Sequence, residues 1–366
     1  MESITVDLGA RSYPIHIGPG ILDEIGKILR ALIGLEKILV ITDGNVRDLY
    51  AGRVLELLKV AGFDAHLAAI PPGEPSKTLK EAERLYYIAL DYGLDRNSAV
   101  IALGGGVVGD LAGFVAATYM RGIRYVQVPT SLLAQVDSSV GGKVAVNLES
   151  AKNIVGAFHQ PVAVIIDPLT LKTLPDREFR EGLAEVIKYG IIWDGDFFNW
   201  LEENVMTLRQ GGESLIYAIK KSCAIKASVV TLDERDEGTR MILNYGHTVG
   251  HALESLVGYG VLLHGEAVAA GMIIEAGIAL EIGLLERQDY ERIERILRRV
   301  VPVEIPGCVE TGGLIEAMAC DKKNKGGRLA FALPEKLGRA GVYYDVPERE
   351  ILYKILDHFL KKSTVP

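Results

Sequence analysis

The chain contains few cysteines and no disulfide pattern. Its 366 residues include only Cys223, Cys308 and Cys320, and no CxxC motif is present. An odd number of widely spaced cysteines argues against a disulfide framework and favours a reduced compartment. The chain begins MESITVDLGA, whose acidic and polar residues differ from those of a secretory signal peptide. We therefore expect a cytoplasmic protein.

Long apolar runs and an excess of basic charge are also missing. The most apolar runs, VAVII and AVAAGMII, are too short to span a bilayer. The net charge is −8, and no lysine- and arginine-rich run carries interleaved aromatic residues. We therefore expect neither a membrane nor a nucleic-acid partner. An anionic substrate would have to be bound by local basic residues.

The sequence does contain enough apolar residues for a large core. A hydrophobic fraction of 49% and a charged fraction of 24% are ordinary for a soluble globular protein, and 366 residues suffice for two domains. Strand and helix patterns alternate through about Pro168, beginning with a hairpin at residues 3–17 and the buried strand KILVITD. This alternation predicts a parallel, helix-covered sheet. After Leu174 helical periodicity dominates, and strand patterns return only at GRLAFALP and GVYYDVP. We predict an α/β domain at 1–174 and a helical domain at 175–366.

Three of the seven histidines lie in the segment from Arg240 to Glu275, at His247, His251 and His264. His247 and His251 are four residues apart, which places both imidazoles on one face of a helix. With Arg240 and Asn244 just upstream, this segment suits a hydroxylated, anionic ligand held near a divalent metal. Histidines on apolar helices are more often simple core or surface residues, so both interpretations stay open.

The motif GLAEVIKYG adds Glu185 and Lys188 on one helical turn. Glu185 is a candidate third metal ligand. A solvated salt bridge between these two side chains is the alternative.

A glycine-rich loop indicates a nucleotide site. GGGVVGD, from Gly104 to Asp110, lies between an apolar strand and a helix, where glycines allow close approach and a helix N-terminus favours phosphate. Its spacing differs from the GxGxxG fingerprint, and close packing alone would also explain the glycines. Asp43, at the end of KILVITD, is either a ribose ligand or a helix cap. GEPSK offers Glu74 and Lys77 in a loop that could equally be a solvated turn.

A lysine-containing segment follows, PTSLLAQVDSSVGGKVAVNLESAKNIVGAFHQP. It carries Asp137, Lys143, Lys152 and Asn153, and lysines are point-charge partners for phosphate and carboxylate. Its glycines and small polar residues predict a loop that folds over a ligand, although surface lysines are the commoner explanation.

Together these residues resemble the 3-dehydroquinate synthase family of the sugar phosphate cyclase superfamily. The motifs occur in the family's order between about Gly73 and Lys325, and the ordered set is far more specific than any one of them. They are GGGVVGD, PTSLLAQVDSSVGGK, AKNIVGAFHQP, DPLTLKTLP, GLAEVIKYG, NYGHTVGHALE, HGEAVAAGM and DKK.

The resemblance implies a Rossmann-like N-terminal NAD-binding α/β domain, an all-α C-terminal domain and an active site between them. It implies that Glu185, His247 and His264 bind a divalent metal, zinc or cobalt, whereas His251 becomes a polar group or proton-relay partner beside the substrate. The positions matching the family's substrate pocket are Asp137, Lys143, Lys152, Asn153, Lys188, Lys226, Arg240, Asn244, His251 and Lys322. Those matching its NAD site are Asp43, Glu74, Lys77, Gly106, Val107, Val108, Gly109, Asp110, Thr130, Ser131, Lys143, Lys152, Thr170, Leu171, Lys172 and Thr173.

By the same resemblance, Lys226 and Arg240 would face a substrate carboxylate, and Lys152 and Asn153 a phosphate. Arg121 matches an arginine that reaches the neighbouring subunit's pocket, which implies a homodimer. The implied reaction converts 3-deoxy-D-arabino-heptulosonate 7-phosphate, a sugar acid phosphate, to 3-dehydroquinate and phosphate in the shikimate pathway. It proceeds by transient NAD oxidation, phosphate elimination, re-reduction and intramolecular aldol closure.

Some features depart from the family pattern or leave alternatives. Pro72 stands where the family usually has aspartate in the first cofactor loop, Ser131 replaces a threonine, and the lysine register in DKKNK is ambiguous. The alternative functions are another sugar phosphate cyclase, an iron-type alcohol or glycerol dehydrogenase, and a non-catalytic NAD-binding protein with a structural metal. The pair Lys226 and Arg240 favours a carboxylated substrate.

Overall fold

A computed structural model of the protein describes residues 2–34, 37–149, 151–258, 260–319, 329–344 and 349–365. The chain forms two compact units. Unit 1 comprises Met1–Pro175 and Gly211–Arg235, and unit 2 comprises Asp176–Gln210 and Asp236–Pro366. The predicted domain boundary lies next to the first of these breaks. The prediction places Gly211–Arg235 in the C-terminal domain, whereas in this structure the segment packs within unit 1.

The strands of unit 1 form a seven-stranded sheet and a separate hairpin. In chain order they are β1 (Glu2–Val6), β2 (Tyr13–Ile17), β3 (Lys37–Asp43), β4 (Asp64–Ile70), β5 (Ala99–Gly104), β6 (Arg124–Pro129), β7 (Lys143–Leu148), β8 (Ala151–Phe158) and β9 (Ala163–Ile166). The large sheet has the order β1-β2-β9-β6-β5-β3-β4. Its neighbours are parallel except for the antiparallel pair β1–β2. The parallel sheet and the N-terminal hairpin are thus confirmed.

Helices cover both faces of this sheet. They are α1 (Ile25–Leu32), α2 (Gly44–Val46), α3 (Gly52–Val60), α4 (Leu79–Asp91) and α5 (Gly106–Thr118), with a π-helical turn at Arg47–Ala51 joining α2 to α3. Alternate residues of β3 enter opposite cores. Ile38 and Val40 pack in one cluster with residues of α1 and α3, whereas Leu39 and Ile41 pack in the other with residues of α4 and α5. This burial on both faces explains the continuous apolar run of the strand.

The hairpin β7–β8 replaces the loop predicted for the lysine-containing segment. Lys143 pairs with Phe158 and Leu148 with Ala151 in an antiparallel ladder. Val144 and Val146 are buried against the same core as α5. The glycines and small polar residues concealed this alternation of apolar and polar positions. A π-helical turn, Ala134–Ser138, precedes the hairpin.

The remaining helices are α6 (Asp176–Ile192), α7 (Gly195–Asn204), α8 (Glu213–Leu232), α9 (His247–Val257), α10 (His264–Glu281), α11 (Arg287–Val300), α12 (Thr311–Ala319) and α13 (Arg349–Ser363). Helix α8 belongs to unit 1 and the others to unit 2. Unit 2 also contains β10 (Ile305–Pro306), β11 (Ala330–Lys336), β12 (Arg339–Tyr344) and β13 (Thr364–Val365). The antiparallel pair β11–β12 forms the strands predicted from GRLAFALP and GVYYDVP. Short 3-10 turns lie at Gly9–Arg11, Ile21–Glu24, Glu74–Ser76, Tyr119–Arg121, Pro168–Thr173, Val205–Gln210 and Thr239–Asn244.

Two contacts explain why α8 packs with unit 1. The Cys223 thiol donates a hydrogen bond to the Gln135 carbonyl at 3.2 Å, and Lys226 Nζ lies 2.7 Å from Asp137 Oδ1. Both partners belong to the π-helical turn before the hairpin. Among the described residues, no helix is long and apolar enough to cross a bilayer.

Candidate functional site

Two of the candidate metal ligands are the first residues of their helices. His247 begins α9 and His264 begins α10. Gly246, directly before His247, has φ +81°, and a Cβ there would lie 2.4 Å from Met272 Cγ. Only glycine fits a left-handed residue so close to the next helix. The chain can therefore place His247 at the end of α9 that faces α10.

The three imidazoles converge. One ring nitrogen each from His247, His251 and His264 lies within 4.8 Å of the other two. The ring centroid of His247 is 5.3 Å from that of His251 and 5.3 Å from that of His264. Three nitrogens this close can share one metal ion after small side-chain movements, because zinc–nitrogen bonds are about 2.0–2.1 Å long.

Glu185 of α6 adds a carboxylate to this cluster. It is fully buried, and its Oε1 lies 3.5 Å from His247 Nε2. A buried carboxylate is stable only where a cation lies close by. The buried Lys188 ammonium supplies one at Oε2, whereas Oε1, which faces His247 Nε2, accepts no hydrogen bond from the described residues. Oε1 is therefore well placed to bind a metal.

The charges around the cluster also favour a cation. Burial lowers the pKa of His264, but the hydrogen bond and charge of Glu254, with the charges of Glu185 and Glu181, outweigh it and raise the pKa to about 9. Burial raises the pKa of Glu181 itself. A site that holds a proton on imidazole so strongly has a negative potential. Carboxylate and imidazole donors in a negative site fit a divalent cation.

The predicted metal set, Glu185, His247 and His264, is thus brought together within unit 2. His251 lies in the same cluster, so the geometry allows the three-imidazole set that its spacing suggested as well as the set implied by the resemblance. The choice between the two stays a prediction. Among the remaining candidates in unit 2, Arg240 is buried and Asn244 ends the turn Thr239–Asn244. Lys322 lies outside the described residues.

Two carboxylates beside the cluster were missed by the sequence reasoning. Glu254 Oε2 lies 3.3 Å from His264 Nδ1, which leaves His264 Nε2 available for a metal when Nδ1 carries the proton. Glu275 accepts hydrogen bonds from the amides at the start of α9. A sequence signal for both is that each is a single carboxylate within an apolar helical run. Such a position predicts burial, and a buried carboxylate needs polar partners.

In unit 1 the glycine loop lies at the carboxyl end of β5. Gly104 ends the strand, and Gly106 begins α5, in which Val107, Val108, Gly109 and Asp110 follow directly. A Cβ on Gly106 would lie 3.2 Å from Ser138 Oγ. The side chain of Val108 is in the core, so this residue can offer a ligand only its backbone. The arrangement of strand, glycine turn and helix N-terminus suits a phosphate group.

Asp43 is a helix cap in this structure. Its Oδ1 accepts hydrogen bonds from the amides of Asn45 and Val46 at 2.8 and 3.0 Å. This agrees with the alternative weighed for Asp43 above. A ribose-binding role, in which the same carboxylate would also accept hydrogen bonds from ribose hydroxyls, stays a prediction.

A polar network joins Glu74 and Lys77 to the hairpin. Lys77 Nζ lies 2.5 Å from both Asp110 Oδ2 and Asn153 Oδ1. Asn147, which sequence reasoning missed, donates to Glu74 Oε1 at 2.7 Å and accepts from the Asn153 amide at 2.8 Å. Burial raises the pKa of Asp110, and the Lys77 ammonium offsets part of that effect. Residues predicted separately for cofactor and substrate thus form one network within unit 1.

Several other predicted cofactor residues of unit 1 make local hydrogen bonds, one of them with the buried side-chain amide of Gln135. This amide donates to the Thr170 hydroxyl at 3.0 Å, and the amide of Thr130 donates to the Gly104 carbonyl at 3.0 Å. Ser131 Oγ accepts from the Ala134 amide at 3.3 Å. The turn Pro168–Thr173 carries Thr170, Leu171, Lys172 and Thr173; Leu171 is buried and Lys172 exposed.

The candidate substrate residues of unit 1 fall into two places. Lys226 donates to Asp137 Oδ1 at 2.7 Å and to the Asp137 carbonyl at 2.8 Å. Lys143 begins β7, whereas Lys152 and Asn153 lie at the start of β8. Asn153 has φ +53°, an uncommon value for a residue other than glycine. Such strain is often found at ligand-binding positions.

The fold matches that of solved sugar phosphate cyclases. A 2-deoxy-scyllo-inosose synthase complexed with carbaglucose-6-phosphate, NAD+ and Co2+ superimposes with a TM-score of 0.86 and 26% identity, covering 98% of this chain and 99% of that chain. The 2-epi-5-epi-valiolone synthase ValA of Streptomyces hygroscopicus, with NAD+ and Zn2+ bound, gives 0.87 and 27%, covering 96% and 97%. A probable glycerol dehydrogenase from Sinorhizobium meliloti, at 0.64 and 17%, shares the fold.

The sequence comparisons are more specific. The family model for the 3-dehydroquinate synthase N-terminal domain matches residues 67–181, and that for the C-terminal domain matches residues 182–324. The 3-dehydroquinate synthase of Desulforamulus reducens is 57% identical over 96% of this chain and 99% of its own length. That of Pelotomaculum thermopropionicum is 54% identical over 93% of each chain. The chain belongs to the 3-dehydroquinate synthase family.

Proposed function

We propose that the protein converts 3-deoxy-D-arabino-heptulosonate 7-phosphate to 3-dehydroquinate and phosphate, using NAD+ and a divalent metal. The observation that carries the proposal is the cluster of three imidazoles beside the buried carboxylate of Glu185. Family membership supplies the reaction, and this cluster supplies a place for the metal that the solved cyclases contain. Unit 1 would bind NAD+ and unit 2 the metal.

Each group would contribute one kind of chemistry. Bound NAD+ would accept and return a hydride, and a zinc or cobalt ion would act as a Lewis acid toward the oxidised carbon's oxygen. The residues that would hold the ion are Glu185, His247 and His264. The glycine turn at the start of α5 would receive the pyrophosphate, and Glu74 and Lys77 would border it.

The chain's own side chains would bind and orient the substrate. Lys226, which contacts Asp137, would pair with the substrate carboxylate, and the resemblance gives Arg240 the same role. Lys152 and Asn153 would bind the phosphate. Charge-assisted hydrogen bonds at both ends of a flexible sugar acid restrict its conformation. The reacting groups are then already in position, so less entropy is lost in reaching the transition state. His251, half-buried beside the metal ligands, would hold or move a proton at a substrate hydroxyl.

The direct test supplies the heptulosonate phosphate with zinc and a catalytic amount of NAD+ and measures both phosphate and 3-dehydroquinate. We expect equal amounts of the two products and no accumulation of NADH. Phosphate without 3-dehydroquinate would indicate another sugar phosphate cyclase, and net NADH release would indicate a dehydrogenase. Absence of phosphate release would refute the proposal.

We also propose that the protein is a homodimer in which Arg121 reaches the neighbouring subunit's site. Arg121 is exposed, and both Met120 and Arg121 have left-handed backbone, with φ +50° and +69°. Two consecutive residues of this kind outside glycine are strained, and such strain is often retained where it presents a functional side chain. The partly exposed Met120 beside Arg121 suits a protein contact.

Complementation tests this arrangement. Arg121→Ala and His264→Ala subunits are each expected to be inactive, and a mixed dimer is expected to regain one active site. In that dimer, the subunit with intact His264 receives Arg121 from its partner. A mixed dimer without activity, or a monomer by light scattering, would contradict the proposal.

Cytoplasmic location stays a prediction, checked by cell fractionation.

A further inference from the structure

A buried carboxylate on α10 has no role in the proposed reaction. Glu275 is fully buried near the middle of the helix. Its Oε2 accepts a hydrogen bond from the Gly246 amide at 2.6 Å, and its Oε1 accepts one from the Val249 amide at 3.2 Å. A buried carboxylate is retained only where such partners compensate for its loss of hydration. Here the partners belong to the start of another helix, α9.

The N-terminus of α9 depends on this carboxylate. The first amides of a helix have no partners within the helix, and they are usually capped by a nearby serine, threonine or aspartate. The residue before α9 is Gly246, which has no side chain and makes no side-chain cap. Glu275 takes over the capping from outside, and its negative charge faces the positive end of the helix.

Close backbone packing makes this capping geometry specific. A Cβ on Gly271 of α10 would lie 1.9 Å from the Gly246 carbonyl oxygen, and one on Gly250 would lie 3.1 Å from the Ala267 carbonyl oxygen. The two helices therefore touch through glycines. At this separation the Glu275 side chain reaches the amides of α9 directly.

His247 begins α9 between the two capped amides. The Tyr245 hydroxyl donates to the Met272 carbonyl at 2.7 Å, and His247 Nδ1 lies 3.1 Å from the Tyr245 carbonyl oxygen. With Nδ1 occupied in this way, His247 Nε2 faces Glu185. The position of that nitrogen thus follows from where the segment Tyr245–Val249 is attached to α10.

We propose that Glu275 is a positioning residue for the metal site: by capping α9 it fixes where His247 presents its Nε2. This inference rests on the proposed function, because it assumes that His247 binds the metal. Both oxygens of Glu275 accept hydrogen bonds from amides, so it would act without binding the ion. Its effect passes through two backbone amides and one helix end.

The test compares zinc affinity in Glu275→Gln and in wild type, measured on metal-free protein by competition with a chromogenic chelator. Glutamine has the same shape but replaces one acceptor oxygen with a donor, which would face an amide that is also a donor. We expect zinc binding to weaken by about 10- to 100-fold, the usual effect of losing an outer-shell partner. The visible spectrum of the Co2+-substituted protein is expected to change as well.

The control is Glu281→Gln, an exposed glutamate at the end of the same helix, which is expected to leave the zinc affinity unchanged. A purely structural role for Glu275 would lower the melting temperature while the folded variant kept the wild-type zinc affinity and Co2+ spectrum. That result would overturn the inference. If wild type itself binds no zinc, the proposed metal site fails instead, so the two failures are distinguishable.

A measurement on wild type remains decisive if Glu275→Gln does not fold. The amide of Gly246 lies directly before α9 and that of Val249 lies in its first turn, where amides normally exchange rapidly with solvent. Capping by a buried carboxylate predicts slow hydrogen exchange at both, measured by fragmentation mass spectrometry of the peptide around them. Rapid exchange at both amides would contradict the inference.

Discussion

Arg177 of α6 donates two hydrogen bonds to Glu266 of α10, from Nε to Oε1 at 2.7 Å and from Nη2 to Oε2 at 2.8 Å. Glu266 Oε2 also accepts from the Leu263 amide at 2.9 Å, which caps the start of α10. Helix α6 carries Glu185, and His264 begins α10. One ion pair therefore connects the elements that carry two of the proposed metal ligands.

Removing this arginine is expected to destabilise unit 2 modestly. Arg177→Ala leaves a buried carboxylate with less compensation, and hydrogen bonds to charged groups are worth about 1.5–3 kcal/mol. Because the Arg177 side chain is 53% exposed, solvent screening reduces this, and we expect about 1 kcal/mol. The apparent melting temperature would fall by about 2–4 °C. The control is Arg339→Ala, which removes an exposed arginine paired with Glu335 in the same unit and is expected to lower the melting temperature less. Equal shifts would contradict the assigned role.

Loss of His264 is expected to abolish metal retention and activity together. Three protein ligands hold a catalytic metal, and removal of one leaves too few donors. Metal content after dialysis, by mass spectrometry, and the phosphate-release assay measure the two effects on His264→Ala. His358→Ala, an exposed histidine on α13, is the control. A variant that kept its metal but lost activity would exclude His264 from direct metal binding.

His251 and Glu185 separate the two possible ligand sets. If Glu185 binds the ion, Glu185→Gln is expected to lose metal, whereas His251→Ala is expected to retain it and lose activity. The reverse pattern would favour the three imidazoles, which lie within 4.8 Å of one another. Metal content, measured before any activity assay, distinguishes the two cases without reference to the reaction.

The sequence predicts individual strands and helices better than it predicts how they pack together. β3 and β5 are continuous apolar runs bounded by turn residues, so their burial on both faces follows from pattern alone. The hairpin β7–β8 escaped prediction because glycine and small polar residues interrupt its alternation. Helix α8 looked like its helical neighbours, and only long-range contacts such as Cys223 to Gln135 assign it to unit 1.

The candidate site shows the same limit. His247, His251 and His264 are conspicuous by type and spacing, and the structure brings them together. The carboxylates that support them, Glu254 and Glu275, give no periodic signal. Their roles depend on which amide or imidazole the fold places opposite them, and no local pattern contains that information.

Lys226 is expected to act on substrate binding. Lys226→Met removes the ammonium group but keeps most of the apolar stem, so we expect the KM for the sugar acid phosphate to rise by about 10- to 100-fold, from the loss of one charge-assisted hydrogen bond. The affinity for NAD+, measured by calorimetry, is expected to stay the same. Lys220→Met, on the same helix and paired with exposed Glu2, serves as the control. An unchanged KM would remove Lys226 from the substrate site.

Cys223 is expected to resist alkylation in the folded protein. It is fully buried on α8, and burial raises the pKa of its thiol to about 12. Because the thiolate is the reactive form, a pKa this high leaves about one thiol in 10,000 ionised at pH 8, and the reagent is also excluded. Raising the pH from about 7 to 9 increases the thiolate fraction but leaves it well below one per cent.

The measurement uses a Cys308→Ser/Cys320→Ser chain, in which Cys223 is the remaining thiol. Iodoacetamide is expected to leave Cys223 unlabelled in native buffer and to label it fully in concentrated guanidinium chloride. A Cys223→Ser/Cys320→Ser chain is the control, because Cys308 is exposed and should react in both conditions. Rapid native labelling of Cys223 would mean that α8 opens away from Gln135 far more often than its buried packing allows. Lys226, three residues further along the same helix, would then not be held at Asp137 as the proposed substrate site requires.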